Sequence, residues 1–225
     1  MDTEHAHTRA LFSRLSSMLS HELRNPLSSV KLSVQTLARN ADLSVRDRRR
    51  LAIAEREIRT LERMLTMFAE YGRDRPLTLE THGLKELVGQ AAETIAPELL
   101  ERRQLVHASA APGLRPVRAD AHRTRPVLAQ LMLNVAASLP TDGVVEVALT
   151  PAPEGGVQFG VRDLGATLSP DEQATAFEPF GCRLARGGGL SLAALQQVML
   201  DQGGRAEVHT DENPGTLFLL TFAPG

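Results

Sequence analysis

Two apolar stripes of the same kind, one after the other, limit what the first third of this chain can fold into. Leu23, Leu27, Val30, Val34 and Leu37 recur at alternating intervals of four and three. Leu51, Ala54, Ile58, Leu61, Leu65 and Phe68 recur at three and four. Such spacing lines one side of an α-helix with apolar side chains. Between the stripes, Asn40-Ala41-Asp42-Leu43-Ser44 is polar and reads as a turn, with Ser44 as the N-cap of the second helix. Residues 8 to 72 are therefore expected to form an antiparallel helical hairpin. Two helices alone bury little, so a second copy is expected to complete a four-helix bundle, making the chain a homodimer.

Gly72-Arg73-Asp74-Arg75-Pro76 reads as a linker, and beyond it the pattern changes. Residues 83–103 and 120–139 are expected to be helical, the second capped by Asp120. Residues 144–150 and 157–162 alternate as strands around a turn containing proline and glycine. A further helix is expected over 190–202, ended by Gly203-Gly204, and closing strands over 206–209 and 216–222. The expected fold class is α+β: the helical hairpin over residues 1–75, then an α/β sandwich over 76–225 with helices on one face of a largely antiparallel sheet.

Composition narrows the function classes. A net charge of −2 and the absence of tryptophan give no footing for nucleic-acid binding. The arginines between Arg46 and Arg50 read as the solvated start of a helix. No run approaches the ~18 apolar residues of a membrane span, so no direct membrane insertion is expected. The first ten residues are polar, unlike a secretory leader. One cysteine, Cys182, excludes an internal disulfide and suits the cytoplasm.

The chemistry is expected at His21. On a helical wheel it falls opposite the first stripe, with Asn25 one turn along on the same face and Glu22 on the flank. An exposed, unprotonated imidazole is a nucleophile, and a neighbouring carboxylate can orient it or take its proton. Pro26 removes a helix hydrogen bond just after this point and is expected to kink the helix. His5, His7, His82, His107, His122 and His209 lack such neighbours and read as ordinary surface histidines.

The string Ser20-His21-Glu22-Leu23-Arg24-Asn25-Pro26-Leu27 resembles the H-box of sensor histidine kinases. Other strings follow in that family's order. Gln130-Leu131-Met132-Leu133-Asn134 resembles the N-box, and Asp163-Leu164-Gly165-Ala166-Thr167 the first glycine box. Phe177-Glu178-Pro179-Phe180 resembles the F-box, and Gly187-Gly188-Gly189-Leu190-Ser191-Leu192 the second glycine box. Gly215-Thr216 with Phe218 resembles the closing strand. The short connection between F-box and second glycine box is similar to that of nitrogen-sensor-type kinases.

The resemblance implies a GHKL-type ATP-binding domain behind the hairpin, with ATP and Mg²⁺ as cofactors. His21 would be the phosphoacceptor and Glu22 the general base. Asn25 would position water for dephosphorylating a partner. Asn134 would ligate Mg²⁺, with Gln130 beside it. Asp163 would accept the adenine amino group, with Gly165 and Thr216 nearby. Gly187, Gly189 and Leu190 would lie close to the phosphates. The implied partner is the receiver domain of a response regulator. No recognisable sensor domain precedes the hairpin, which leaves two readings: the signal comes from another protein, or the chain is a fragment of a longer receptor.

Three positions depart from the family pattern. Thr167 and Ser191 replace glycines, and Gln130 replaces an asparagine. A β-branched residue resists positive φ, and a hydroxymethyl group either clashes or makes a hydrogen bond. These changes carry a second reading: an ATP-independent dimeric histidine phosphotransferase or scaffold with a degenerate ATP-binding domain.

Overall fold

A computed structural model describes residues 23–40, 42–71, 76–165, 167–178, 181 and 190–225. His21, Glu22, Gly187 and Gly189 lie outside the described residues, as do Cys182 and the expected linker apart from Pro76. The chain divides into two compact units, Met1–Asp74 and Arg75–Gly225.

In the first unit, α1 covers 23–38 and α2 covers Val45–Tyr71. Ser44 caps α2: its hydroxyl accepts from the Asp47 N–H at 3.1 Å and donates to the Asp47 carboxylate at 2.6 Å. This satisfies one of the N–H groups that every helix start leaves unpaired. Lys31 Nζ donates to both carboxylate oxygens of Glu62, at 2.9 and 3.0 Å.

The contact face is narrower than the stripe. Leu27, Lys31 and Val34 of α1 are half-buried, and Ile58 of α2 is buried. Leu23, Val30 and Leu37 remain 50%, 51% and 57% exposed, and Leu61 of α2 48% exposed. A wheel drawn from the sequence marks the apolar side, but one partner helix covers only part of it.

The second unit is built from β1 (Glu80–His82), α3 (Leu84–Leu100), β2 (Leu105–Ala110), β3 (Val117–Ala119), α4 (Ala121–Ser138), β4 (Val144–Ala152) and β5 (Gly156–Asp163). It continues through α5 (Pro170–Thr175), α6 (Ser191–Asp201), β6 (Arg205–His209) and β7 (Thr216–Phe222). Five strands form one sheet in the order β2-β4-β5-β7-β6. β2 pairs with β4 in parallel; the other neighbours are antiparallel. β1 and β3 form a separate antiparallel pair.

The core follows from strand alternation. Val157, Phe159 and Val161 of β5 and Phe218, Leu220 and Phe222 of β7 are buried on one face. Leu87 and Val88 of α3, Leu128 and Met132 of α4, and Leu195 and Met199 of α6 are buried with them. At about 25 cal/mol per Å² of apolar surface removed from water, this layer is the main source of the unit's stability.

Most expected elements lie within a few residues of those observed. The additions are β1, β2, β3 and α5. The first three are short or weakly alternating. For α5 the signal was present: Ser169 and Glu172 form a capping box, with Pro170 at the first helical position.

The helix that carries the site, α4, is held at both ends. At its start, Asp120 Oδ1 accepts from the N–H groups of His122 (3.0 Å) and Arg123 (3.2 Å), while Oδ2 accepts from the Thr78 N–H at 3.1 Å. At its end, Arg102 donates to the carbonyls of Ala136 (3.1 Å) and Leu139 (2.6 Å). Gln104 adds a bond to the Ala136 carbonyl at 2.9 Å. Orphan groups at both termini are thus satisfied by side chains, and the helix is fixed in register against the sheet.

Candidate functional site

Four elements converge in the second unit: the middle and end of α4, the end of β5, the start of β7 and the start of α6. α4 turns Gln130, Asn134 and Ser138 to one side because residues four apart lie one above another on a helix. Gln130 and Asn134 are both buried. Gln130 Nε2 donates to Asn134 Oδ1 at 2.8 Å, and Asn134 Nδ2 donates to Ser191 Oγ at 3.2 Å. An amide oxygen has two lone pairs, so Asn134 Oδ1 keeps one beyond the bond from Gln130.

Asp163 is the last residue of β5 and faces Thr216, the first of β7, across the ladder. Its side chain is almost fully buried. Oδ1 accepts from the Ser138 hydroxyl at 2.5 Å and from the Gly165 N–H at 2.9 Å. The buried hydroxyl of Thr216 accepts from the Leu168 N–H at 3.2 Å.

Two glycines here answer to space. A Cβ on Gly165 would lie 2.2 Å from Ser138 Cβ. Gly215 has φ +93, and a Cβ there would lie 2.2 Å from the Asp163 carbonyl oxygen. Both positions let the backbone approach a neighbour more closely than any side chain allows. The loop that leads to Gly215 is tied down by Arg162, which hydrogen-bonds Asp211 at 2.6 Å. That bond, with a second from the Asn213 N–H, holds the Asp211 carboxyl below the ordinary carboxylate range.

The two replaced glycines are accommodated. The Thr167 hydroxyl accepts from the Gly215 N–H at 3.1 Å. Ser191 supplies the hydroxyl that accepts from Asn134. At Ser191 the hydrogen bond, not the clash, is the outcome.

The structure brings together Gln130, Asn134, Asp163, Gly165 and Thr216. Leu190 immediately precedes α6 and is half-buried. Asn25 belongs to the other unit, where it is exposed on α1. His21, Glu22, Gly187 and Gly189 lie outside the described residues. Sequence reasoning missed Ser138. No motif marks it; only the contact with Asp163 does.

Comparison with known proteins addresses each part of the chain in turn. The family model described as "His Kinase A (phospho-acceptor) domain" matches residues 13–76. The model described as "Histidine kinase-, DNA gyrase B-, and HSP90-like ATPase" matches residues 119–224. The chain carries the phospho-acceptor and ATPase domains that make up the core of sensor histidine kinases. Similar members of this family include the sensor histidine kinase ZraS of Klebsiella oxytoca, 27% identical over 204 residues that make up 91% of this chain and 44% of that protein. The sensor protein kinase PilS of Pseudomonas aeruginosa is 27% identical over 214 residues, 93% of this chain and 40% of that one. A crystal structure of full-length ShkA in complex with AMPPNP matches with a TM-score of 0.69 and 25% identity, over 94% of this chain and 46% of that chain. The chain therefore spans less than half the length of these histidine kinases. Among the described residues, no helix is long and apolar enough to cross a membrane.

Proposed function

We propose that this chain is the kinase core of a two-component system: it phosphorylates His21 from Mg-ATP and passes the phosphoryl group to an aspartate on a response-regulator receiver domain. The observation that carries the nucleotide half is the Gln130–Asn134–Ser191 network beside the Asp163–Thr216 pair. It offers an amide oxygen with a lone pair to spare and a carboxylate with one oxygen committed and one free of partners among the described residues.

The residues fit the groups. Among the described residues no cluster of histidine, cysteine and carboxylate side chains is arranged to hold a metal. Mg²⁺ does not require one, because it keeps several waters and takes its remaining ligands from substrate phosphates and one or two protein oxygens. Asn134 Oδ1 would hold it. Bound there, Mg²⁺ neutralises charge on the phosphates. Asp163 Oδ2 would accept the exocyclic amine of adenine, and Gly187, Gly189 and Leu190 would stand near the phosphates ahead of the α6 N-terminus.

At the other unit, a ring nitrogen of His21 would attack the γ-phosphorus. The new N–P bond forms as the bond to the bridging oxygen breaks and ADP leaves. Glu22 would take the imidazole proton. In the second transfer a receiver aspartate oxygen attacks, the N–P bond breaks and His21 regains a proton. Asn25 would orient water for the reverse task of removing phosphate from the regulator. The apolar residues of α1 and α2 left uncovered in one protomer support homodimerisation, and the single cysteine suits a cytoplasmic location.

The reading as an ATP-independent phosphotransferase drew its support from Thr167 and Ser191. Both hydroxyls make hydrogen bonds within the site, so that support falls away. The deciding experiment is incubation of the chain with Mg-ATP labelled at the γ-phosphorus, beside His21→Gln. Label on the parent chain and none on the variant is expected. Equal label on both would remove His21 as acceptor.

A further inference from the structure

We propose that Ser138 is a positioning residue that sets the chain's preference for adenine. The proposal rests on the reading of Asp163 as the base-recognising carboxylate. Ser138 Oγ lies 2.5 Å from Asp163 Oδ1 and 2.8 Å from the Val135 carbonyl. A hydroxyl has one proton, and a carboxylate is the stronger acceptor, so the proton goes to Asp163. The Gly165 N–H meets the same oxygen at 2.9 Å. Oδ1 is thus occupied by two donors that come from opposite directions in the chain. Oδ2 has no hydrogen-bond partner among the described residues.

A carboxylate clamped by one oxygen cannot turn about its terminal torsion. Its other oxygen then points in one direction and acts only as an acceptor. An acceptor at that place favours a purine with an amine at carbon 6 over one with a carbonyl there. A site built to hydrogen-bond a group discriminates strongly against ligands that lack it.

The clamp stands on rigid ground. Ser138 is the last residue of α4, next to the carbonyls held by Arg102 and Gln104. Asp163 is locked into the β5–β7 ladder opposite Thr216. Gly165 packs so closely on Ser138 that no side chain fits between them. Ser138 itself would not touch the nucleotide. It acts through Asp163.

The test compares Mg-ATP with purine riboside triphosphate, which lacks the 6-amine, by calorimetry on the full chain and on Ser138→Ala. The expected result is an about tenfold loss of affinity for Mg-ATP and no change for the amine-free nucleotide. Equal losses for both would mean a purely structural role and overturn the proposal, as would no loss for either. Ser138→Gly, tolerated at a helix C-terminus, repeats the comparison should the alanine variant fail to fold. Asp163→Asn in the same assay isolates the underlying reading. If it binds Mg-ATP like the parent, the base-recognition role of Asp163 fails and the proposal falls with it.

Discussion

The side-chain amide of Asn134 donates to the hydroxyl of Ser191 across 3.2 Å, joining the middle of α4 to the first residue of α6. With Gln130 donating to the oxygen of the same amide, Asn134 is held at both of its polar atoms. An amide fixed in this way presents its remaining lone pair in one orientation.

This arrangement predicts a graded response. Asn134→Ala should abolish Mg-ATP binding at millimolar concentration, because the oxygen donor is gone. Ser191→Val should weaken binding about tenfold, since it leaves the buried Nδ2 without an acceptor. Ser191→Gly opens room for water and should cost threefold or less, about 0.7 kcal/mol. Titration calorimetry reads all three. Undiminished binding by Asn134→Ala would sink the assignment of the metal ligand.

Gly215 predicts a stability effect that separates strain from crowding. Gly215→Ala places a methyl 2.2 Å from the Asp163 carbonyl oxygen at φ +93. Gly113→Ala also requires positive φ, at +73, but would meet nothing within 4 Å. The first should cost about 3 kcal/mol and the second about 1 kcal/mol. Thermal unfolding of the two variants measures the difference. Equal shifts in Tm would mean that the close approach to Asp163 is not energetically important.

The exposed part of the α1 stripe predicts the oligomeric state. Val30 and Leu37 are 51% and 57% exposed in one protomer, so a single chain gains little from them. Covering such a side chain contributes roughly 1.5–3 kcal/mol. Val30→Lys with Leu37→Lys should convert a dimer into a folded monomer. Light scattering behind a sizing column gives the mass, and circular dichroism checks that the helices persist. A doubly substituted chain that remains dimeric would place the dimer contact elsewhere.

Much of the architecture was legible in the sequence because it is written in local patterns. The stripes of 23–37 and 51–68 give α1 and α2 by spacing alone. Ser44 and Asp120 cap helices where short polar side chains precede a helical run. The alternation in 157–162 and 216–222 gives β5 and β7, since residues two apart share a face of a strand. β2 was missed because its parallel pairing with β4 joins segments separated by α4, and its exposed edge shows little alternation. β1 and β3 are three residues each, too short for any period to register.

The functional strings were also legible, as a resemblance in fixed order. Their geometry was not. Thr167 looked like an obstacle because a glycine at that place suggests positive φ; no pattern in the sequence showed that its hydroxyl meets the Gly215 N–H. Ser138 carried no signal, because its value lies wholly in a contact with a residue 25 positions away.

The sequence by itself determined where helices and strands begin, which side of each is apolar, and which residues belong to a histidine kinase. Those properties depend on neighbours within a turn or a pleat. Only the tertiary structure decided which partners the hydroxyls of Thr167 and Ser191 find and which oxygen of Asp163 the Ser138 hydroxyl occupies. Those outcomes depend on hydrogen bonds between residues 25 to 57 positions apart, and such bonds exist only after α4, β5, β7 and α6 have packed.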